Sequence, residues 1–435
     1  MRISVIGCGY LGAVHAACMA SLGHEVVGID VDEHKVAELQ AGRAPFFEPG
    51  LPELLAEAIA TGRLTFTTDF AAAADATVHF VAVGTPQSEG SNSADLRYVH
   101  SAVDALTPYL SAGDLIAGKS TVPVGTARSL SERIASTGAN LAWNPEFLRE
   151  GFAVKDTLTP DRFVYGVPDG DAGATAKAQL DEVYAVALAA DTPLIVTDYE
   201  TAELVKVSAN AFLATKISFI NAIAEICDAT GADVTQLADA IGFDARIGRR
   251  FLNAGVGFGG GCLPKDIRAF QARAEELGAG NSLDFLTDVD AINLRQRDRA
   301  AQFARDAVGG SVSGKKVAIL GLAFKPESDD VRDSPALAIA GALHDEGAIV
   351  SAYDPEAVGT ASRKLPGLNY VHSTAEAVAG AEVVLLLTEW TEFRALDPEA
   401  VGAMVAAKAI VDGRNVLDPA RWRAAGFDYF GLGRP

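Results

Sequence analysis

In the N-terminal part of the chain, short β-branched runs alternate with Ala-rich segments of helical spacing. The runs are "RISVIG", "EVVGID", "RLTFTT", "TVHFVAVG", "DLIAGKS" and "LAWNP". Strands alternating with helices in this way predict a parallel sheet covered on both faces. The spacing then changes. From about Thr201 to Asp228, apolar residues including Leu204, Val207, Ala211, Ile217, Ile220 and Ile223 recur at helical intervals, which predicts one long helix. Beyond the Gly/Ser-rich "VGGSVSGKK", residues 308–316, the first pattern restarts with "KVAILG", "AIVSAYDP", "VVLLLT" and "AIVDGR". The expected fold is α/β: two Rossmann-like doubly wound domains joined by a long central helix. Residues 1–200 form the first domain, 201–300 the central helical segment and 315–435 the second domain.

The two windings echo each other at their opening strands and part company at the glycines. In the first, Gly7, Gly9 and Gly12 stand in G-x-G-x-x-G register between a strand and a helix, and Asp30 ends the next strand. A dinucleotide requires this context: Gly7 permits the tight turn, Gly9 lets pyrophosphate approach the backbone, and Gly12 lets the helix pack closely. The helix start, where Tyr10 and Leu11 stand, then offers N–H groups and partial positive charge to the phosphates. Asp30 is placed to accept from the adenosine ribose and to repel a 2′-phosphate, favouring NAD over NADP. For Lys35, near that ribose edge, a cofactor contact competes with a solvated helix charge. "VGTP", Val83 to Pro86, ends a strand at the carboxyl edge where ligands of such folds lie, so Thr85 is either a cofactor contact or a turn residue. The second winding has only Gly321 before "LAFKPESDDVRDSP", and its loop must be used differently.

With 435 residues, 49% hydrophobic and 21% charged, the chain has room for two or three packed cores. A formal net charge of −21 works against nonspecific attraction to nucleic acid or anionic lipid, so neither is expected as a partner. No apolar run is read as long enough to span a bilayer, which argues against an integral membrane protein. The apolar stretch in "MRISVIGCGYLG" is brief and leads into an ordinary strand, which makes a cytoplasmic address the expectation. Cys8, Cys18, Cys227 and Cys262 show neither zinc-site spacing nor the density of a disulfide scaffold, and read as reduced thiols.

One of them stands in unusual surroundings, in "VGFGGGCLPKD", residues 256–266. Pro264 suits the first turn of a helix, so Cys262 is expected just before a helix N-terminus with Lys265 close by. Both features favour the thiolate, the nucleophilic form. A metal-ligand reading lacks partners, and a small buried side chain would leave Lys265, Asp266 and the glycines unexplained. Cys8, in the nucleotide loop, and Cys18 and Cys227, on Ala-rich segments, read as core residues. Lys206 and Asn210, four apart, project from one helix face and could donate to an oxyanion; a solvated face is the competing reading. "NPEFLREG", residues 144–151, holds Glu146 and Glu150 at a strand end, where a buried carboxylate can act as general base; a capped helix with an ordinary ion pair fits equally. "KSTVPVGT" places Thr121 at the same edge.

Taken in order, "GCGYLG", "STVPVGT", "NPEFLREG", Lys206 with Asn210, "GFGGGCLPKD" and "FKPESDDVRDSP" run from residue 1 to about 335, and through them the sequence resembles the UDP-glucose/GDP-mannose dehydrogenase family. The resemblance implies a four-electron oxidation of the sugar C6 alcohol, UDP-glucose to UDP-glucuronate, with two NAD reduced. Cys262 would capture the intermediate aldehyde as a thiohemiacetal and carry it on to a thioester. Carried over with the motifs, Lys206 and Asn210 stabilise oxyanions, Asp266 and Thr121 hold a proton-relaying water, and Glu146 is the base for thioester hydrolysis. The implied cofactor contacts are Gly7, Gly9, Tyr10, Leu11, Gly12, Asp30, Lys35, Thr85, Thr121, Glu150, Lys265 and Arg332. Substrate contacts fall on Glu146, Phe147, Leu148, Arg149, Glu150, Lys206 and Asn210, and on the loop residues Phe251, Leu252, Asn253, Ala254, Gly255 and Gly259. Lys325 adds a contact from the second winding and Arg246 one across a dimer interface. Residues 1–200 then bind NAD, 201–300 support a homodimer and 315–435 bind the UDP-sugar. One departure is Gly261, where many relatives carry Ser and only backbone room is obviously required.

Three other readings compete. A GDP-mannose dehydrogenase shares the fold, the cysteine and the chemistry. A two-electron β-hydroxyacid dehydrogenase has a similar cofactor domain and a catalytic lysine on a long helix, but no use for a cysteine in a glycine run. A non-catalytic nucleotide-sugar sensor would have no need of the intact set from Thr121 to Asp266.

Overall fold

The computed structural model describes residues 1–435. They divide into two units, residues 1–209 with 268–280 and residues 210–267 with 281–435.

The first unit is built on eight strands: β1 (Arg2–Ile6), β2 (Glu25–Ile29), β3 (Leu64–Thr67), β4 (Val78–Val81), β5 (Leu115–Gly118), β6 (Asn140–Trp143), β7 (Phe163–Gly166) and β8 (Leu194–Thr197). Their order is β3-β2-β1-β4-β5-β6-β7-β8. Neighbours run parallel except β6 and β7, which meet antiparallel through Trp143 and Gly166. Helices on both faces explain why the central strands read as continuous apolar runs rather than alternating ones: Val78, Phe80, Leu115, Ile116 and Ala117 are all buried. One core packs the helix Tyr10–Ser21 against one face, and a second core on the other face includes Val99, Val103, Leu130 and Ile134. Strand order reverses between β1 and β4, and ligands of such sheets bind outside the carboxyl ends at that switch.

The second unit carries a six-stranded, wholly parallel sheet of β9 (Lys316–Leu320), β10 (Ile349–Tyr353), β11 (Asn369–Tyr370), β12 (Val383–Leu386), β13 (Ala409–Asp412) and β14 (Asp428–Gly431), in the order β11-β10-β9-β12-β13-β14. The Gly/Ser-rich linker falls between the helix Phe285–Ala307 and β9.

The long helix runs Tyr199–Thr230, 32 residues, two beyond the predicted span at each end. By length and composition it is apolar enough to cross a membrane. Its charged interruptions, Lys206 and Lys216 among them, hid this from a search for an unbroken apolar run. One face of its C-terminal part packs as a core helix: Ile220, Ala224 and Cys227 share a core with Val234, Ala238, Leu252 and Ala254.

Candidate active site

Gly7 adopts φ +88° at the end of β1, and its N–H donates to the Ile29 carbonyl at 2.8 Å. A Cβ at Gly12 would collide with the Gly7 carbonyl, so the helix sits directly on the turn. The helix opens after Gly9 with no side-chain cap. Uncapped first-turn N–H groups over a glycine floor suit a pyrophosphate. Asp30, almost fully buried, accepts from Cys8 N–H at 2.7 Å, Asp32 N–H at 3.0 Å and Lys35 Nζ at 2.9 Å. Lys35 is therefore ion-paired to the acidic residue of the fingerprint rather than a solvated helix charge. These residues fit the adenosine half of NAD. Burial, with Asp30 beside it, pushes the Cys8 thiol far up, and burial pushes Cys18 up to about 12; both are held as thiols.

The Tyr10 side chain has a structural task. Its hydroxyl donates to Glu48 and accepts from Gly151 N–H at 3.0 Å. Glu48, buried, also accepts from the Gly151 and Ala153 amides at 2.7 Å each. The turn holding half-buried Glu150 is thus tied to the start of the glycine-loop helix. Sequence reading missed Glu48, whose partners lie about a hundred residues downstream.

At the carboxyl edge, the buried Thr85 hydroxyl donates to the Thr121 carbonyl at 2.8 Å and so joins two of the expected positions. Glu146 Oε1 accepts from the Phe147 and Leu148 amides at 2.8 and 3.2 Å, and its Oε2 lies 3.0 Å from Lys119 Nζ. The Phe147 ring has the Arg162 guanidinium 3.8 Å and the Lys206 ammonium 5.3 Å from its centre. Glu146, Phe147 and Lys206 are thereby brought together. Arg149 is instead turned to Asp156 in a bidentate pair of 2.8 and 2.7 Å. Lys119 went unnoticed in the sequence, as did Glu203, whose carboxylate accepts from Gly125 and Ala127 N–H at 2.7 Å each. That bond fixes the segment following Thr121. Burial outweighs the two amides and pushes Glu203 up to about 7.

In the second unit, Cys262 is exposed and immediately precedes the helix Leu263–Glu276, its carbonyl accepting the Asp266 N–H at 2.9 Å. Asp266 is buried. Asn210 Nδ2 donates to its Oδ2 at 2.6 Å, and the Lys265 ammonium binds its Oδ1. Lys265, expected beside the thiol, thus spends its charge on Asp266. A Cβ at Gly261 would meet the Arg332 guanidinium, which is paired with Asp330 at 2.7 Å. The space at Gly261 is taken by a side chain, beyond the backbone room expected.

The loop from Phe251 to Gly255 is held by bonds of its own. Phe251 takes a left-handed φ of +66°. The Gly255 N–H reaches Asn221 Oδ1 at 2.9 Å, and Arg249 binds the Leu252 carbonyl at 3.0 Å and Asn253 Oδ1 at 2.7 Å. Asn415 Nδ2 donates to the Ala254 carbonyl at 3.3 Å. Arg414, also missed, donates to the carbonyls of Leu387, Gly257 and Phe324 at 2.7, 3.2 and 3.1 Å. Its signal was available: it follows "AIVD" at the carboxyl edge of the second sheet, as Thr85 follows a strand of the first. A Cβ at Gly259 would collide with the Asp333 carbonyl, Lys325 places its ammonium 5.5 Å from the Phe324 ring centre, and exposed Arg246 pairs with Asp244. Asp354 ends β10 as Asp30 ends β2, yet it accepts from the Leu322 and Ala323 amides at 2.7 and 3.0 Å and from Trp390 Nε1 at 3.1 Å. The second winding keeps the acid but locks its own loop with it.

A dinucleotide loop on one winding, and a locked loop with a lysine and a half-buried arginine on the other, define an NAD-dependent oxidoreductase whose second α/β half serves a different ligand. The chain belongs to the UDP-glucose/GDP-mannose dehydrogenase family: residues 1–188 match its NAD binding domain, 200–295 its central domain and 318–419 its UDP binding domain. It is 42% identical to the UDP-glucose 6-dehydrogenase of Rhizobium meliloti (strain 1021) over the full length of both chains. Against UDP-glucose 6-dehydrogenase TuaD of Bacillus subtilis (strain 168) it is 41% identical, over all of this chain and 93% of that one. The solved structure of a UDP-glucose dehydrogenase from Pyrobaculum islandicum superposes with a TM-score of 0.90 at 38% identity, covering 100% of this chain and 98% of the other.

Proposed function

We propose that this chain oxidises UDP-glucose to UDP-glucuronate with NAD, a UDP-glucose 6-dehydrogenase activity, through a covalent adduct on Cys262. The observation that carries the reading is the setting of Cys262: an exposed cysteine at a helix start, one turn from a buried carboxylate that Asn210 and Lys265 hold, while the other three cysteines are buried. The matched relatives named above, each a UDP-glucose dehydrogenase, support the choice of UDP-glucose over GDP-mannose.

Two NAD, bound in turn, would each supply the acceptor for one of the two hydrides that leave C6 in succession. As the first departs, the C6 hydroxyl proton passes to a water held by Thr121 and Asp266, leaving an aldehyde. The Cys262 thiolate adds to that carbon, forming the C–S bond, and the carbonyl oxygen becomes an alkoxide that takes up a proton. Lys206 and Asn210 donate to this oxygen while it carries charge. Loss of the second hydride and of the hydroxyl proton leaves a thioester. Water then attacks the acyl carbon, Glu146 takes its proton, and the C–S bond breaks to return the thiolate and release the carboxylate.

Residues 1–200 serve NAD, with Asp30 and Lys35 at the ribose edge. Residues 315–435 serve the UDP-sugar through Lys325, helped by the loop from Phe251 to Gly259. Residues 201–300 pair two copies. Phe212, Phe219 and Ile226 are exposed at seven-residue spacing on the long helix, one apolar stripe that a second copy would cover. Arg246, exposed in the same unit, is available to the partner's substrate. A cytoplasmic setting suits cysteines that work as thiols.

The test is a substrate panel. Initial rates with NAD and UDP-glucose, GDP-mannose or small β-hydroxyacids should favour UDP-glucose and yield the sugar acid as product. A preference for GDP-mannose, or an aldehyde as final product, would sink the reading.

A further inference from the structure

Beside Glu146 the first unit buries an ammonium, and a buried charge is tolerated only where it is paired and its donors are met. Lys119, 3% exposed, follows β5 and meets that condition. Its three N–H bonds have three acceptors: Asn144 Oδ1 at 3.1 Å, the Tyr184 oxygen at 3.2 Å and Glu146 Oε2 at 3.0 Å. The acceptors are themselves fixed. Asn144 donates through Nδ2 to the Val164 carbonyl at 3.0 Å, which turns its oxygen towards the ammonium, and the Tyr184 hydroxyl donates to that same oxygen at 2.7 Å. Burial, and then Glu146, push the Tyr184 hydroxyl far above its ordinary range, so it remains a donor. His15 closes the surroundings edge-on to Phe80, its centroid 4.3 Å away, and burial and then Lys119 keep it neutral. With two N–H groups committed to Asn144 and Tyr184, the third is left for one carboxylate oxygen of Glu146. The Phe147 and Leu148 amides hold the other oxygen.

We propose that Lys119 is a positioning residue for Glu146: a buried ammonium with no surface for substrate that fixes the carboxylate in the orientation from which it deprotonates the hydrolytic water. This rests on the reading of Glu146 as that base. Glu146 is held by the Lys119 ammonium and two backbone amides, and a carboxylate locked from three sides keeps its aim through the catalytic cycle.

The test uses full-length enzyme carrying Lys119→Met, Lys119→Gln, Glu146→Gln, or a Lys119 change combined with Glu146→Gln. Readouts are steady-state kcat and KM, and the intact mass of protein quenched during turnover of UDP-glucose with NAD. Lys119→Met should lower kcat by about a hundredfold, the cost of a misplaced catalytic group, and KM should fall with it, leaving kcat/KM for UDP-glucose within about twofold because the steps that precede the hydrolysis are untouched. Protein carrying a UDP-glucuronyl adduct on Cys262 should accumulate, as it should in Glu146→Gln. The double variant should be no slower than Glu146→Gln alone. If Lys119→Met does not fold, Lys119→Gln, which keeps donors for Asn144 and Tyr184, is read in its place. Wild-type kcat in a folded Lys119 variant, loss of rate without adduct, or multiplicative losses in the double variant would overturn the proposal. If Glu146→Gln itself turns over without adduct, the base assignment fails first; if it accumulates adduct and the Lys119 variants do not, only the role of Lys119 fails.

Discussion

Cys262 and Cys8 are both cysteines beside glycines in loops that open a helix, and their surroundings send them to opposite fates. Cys8 is buried against Asp30 and held as a thiol, whereas Cys262 is exposed at the start of its helix. Cys262→Ser should therefore abolish steady-state NADH formation from UDP-glucose, by about three orders of magnitude or more, as for loss of a covalent nucleophile; a Cys8→Ala variant should keep most of its rate. In the proposed mechanism Asn210 carries two tasks, since besides donating to the oxyanion its amide holds the buried Asp266 carboxylate at 2.6 Å. Asn210→Ala should lose stability as well as rate, by about 1.5–3 kcal/mol for a buried bond to a charged group, measurable in urea. Cys262, Asp266 and Lys206 were legible because their motifs are local. Glu48, Lys119 and Glu203 were not, because each acts on groups 25 or more residues away that its own neighbours do not reveal; Arg414 had a local signal, its place just beyond a strand, that went unread.

Elements were legible where burial on both faces makes a strand largely apolar, as in β1, β4 and β12. β8 is the short run LIVT, readable as a strand but left unread, and β11 has only two residues, too few to give a run. β7 pairs antiparallel to β6, a reversal that an expectation of uniform parallel winding does not contain. The glycine loop illustrates how an element constrains a residue: Gly12→Ala must push the helix off the Gly7 carbonyl, and NAD affinity should fall at least tenfold by fluorescence titration, about 1.4 kcal/mol or more. Glu203 links the long helix to the helix Thr126–Ile134, and its folded pKa of about 7 lies above the ordinary 4.5. The folded state therefore holds this proton more tightly than the unfolded state. The contribution to stability is fully present at low pH and is lost as pH rises from 4.5 through about 7, levelling above that. Urea unfolding should show wild-type stability relative to Glu203→Gln falling by roughly 1–3 kcal/mol between about pH 5 and pH 8; a flat difference would contradict the buried carboxylate.

For the whole molecule, an acidic chain of net charge −21 is asked to hold an anionic nucleotide sugar. Global charge opposes this, so affinity must come from local donors: Lys325, Arg246, backbone N–H groups and helix starts. Binding of UDP should weaken with salt only to the extent that these few cations are exposed. The apolar stripe at Phe212, Phe219 and Ile226 predicts a particle of twice the chain mass in sedimentation, and Phe219→Glu should shift it towards the monomer. All of these serve one claim, that a sugar carbon stays attached to Cys262 between two hydride transfers. The direct measurement is the NADH formed when a limiting, known amount of UDP-glucose is consumed to completion. Two NADH for each UDP-glucose, with Cys262→Ser unable to reach that yield, is the predicted result; one NADH per sugar, or an unchanged yield and rate without the cysteine, would contradict it.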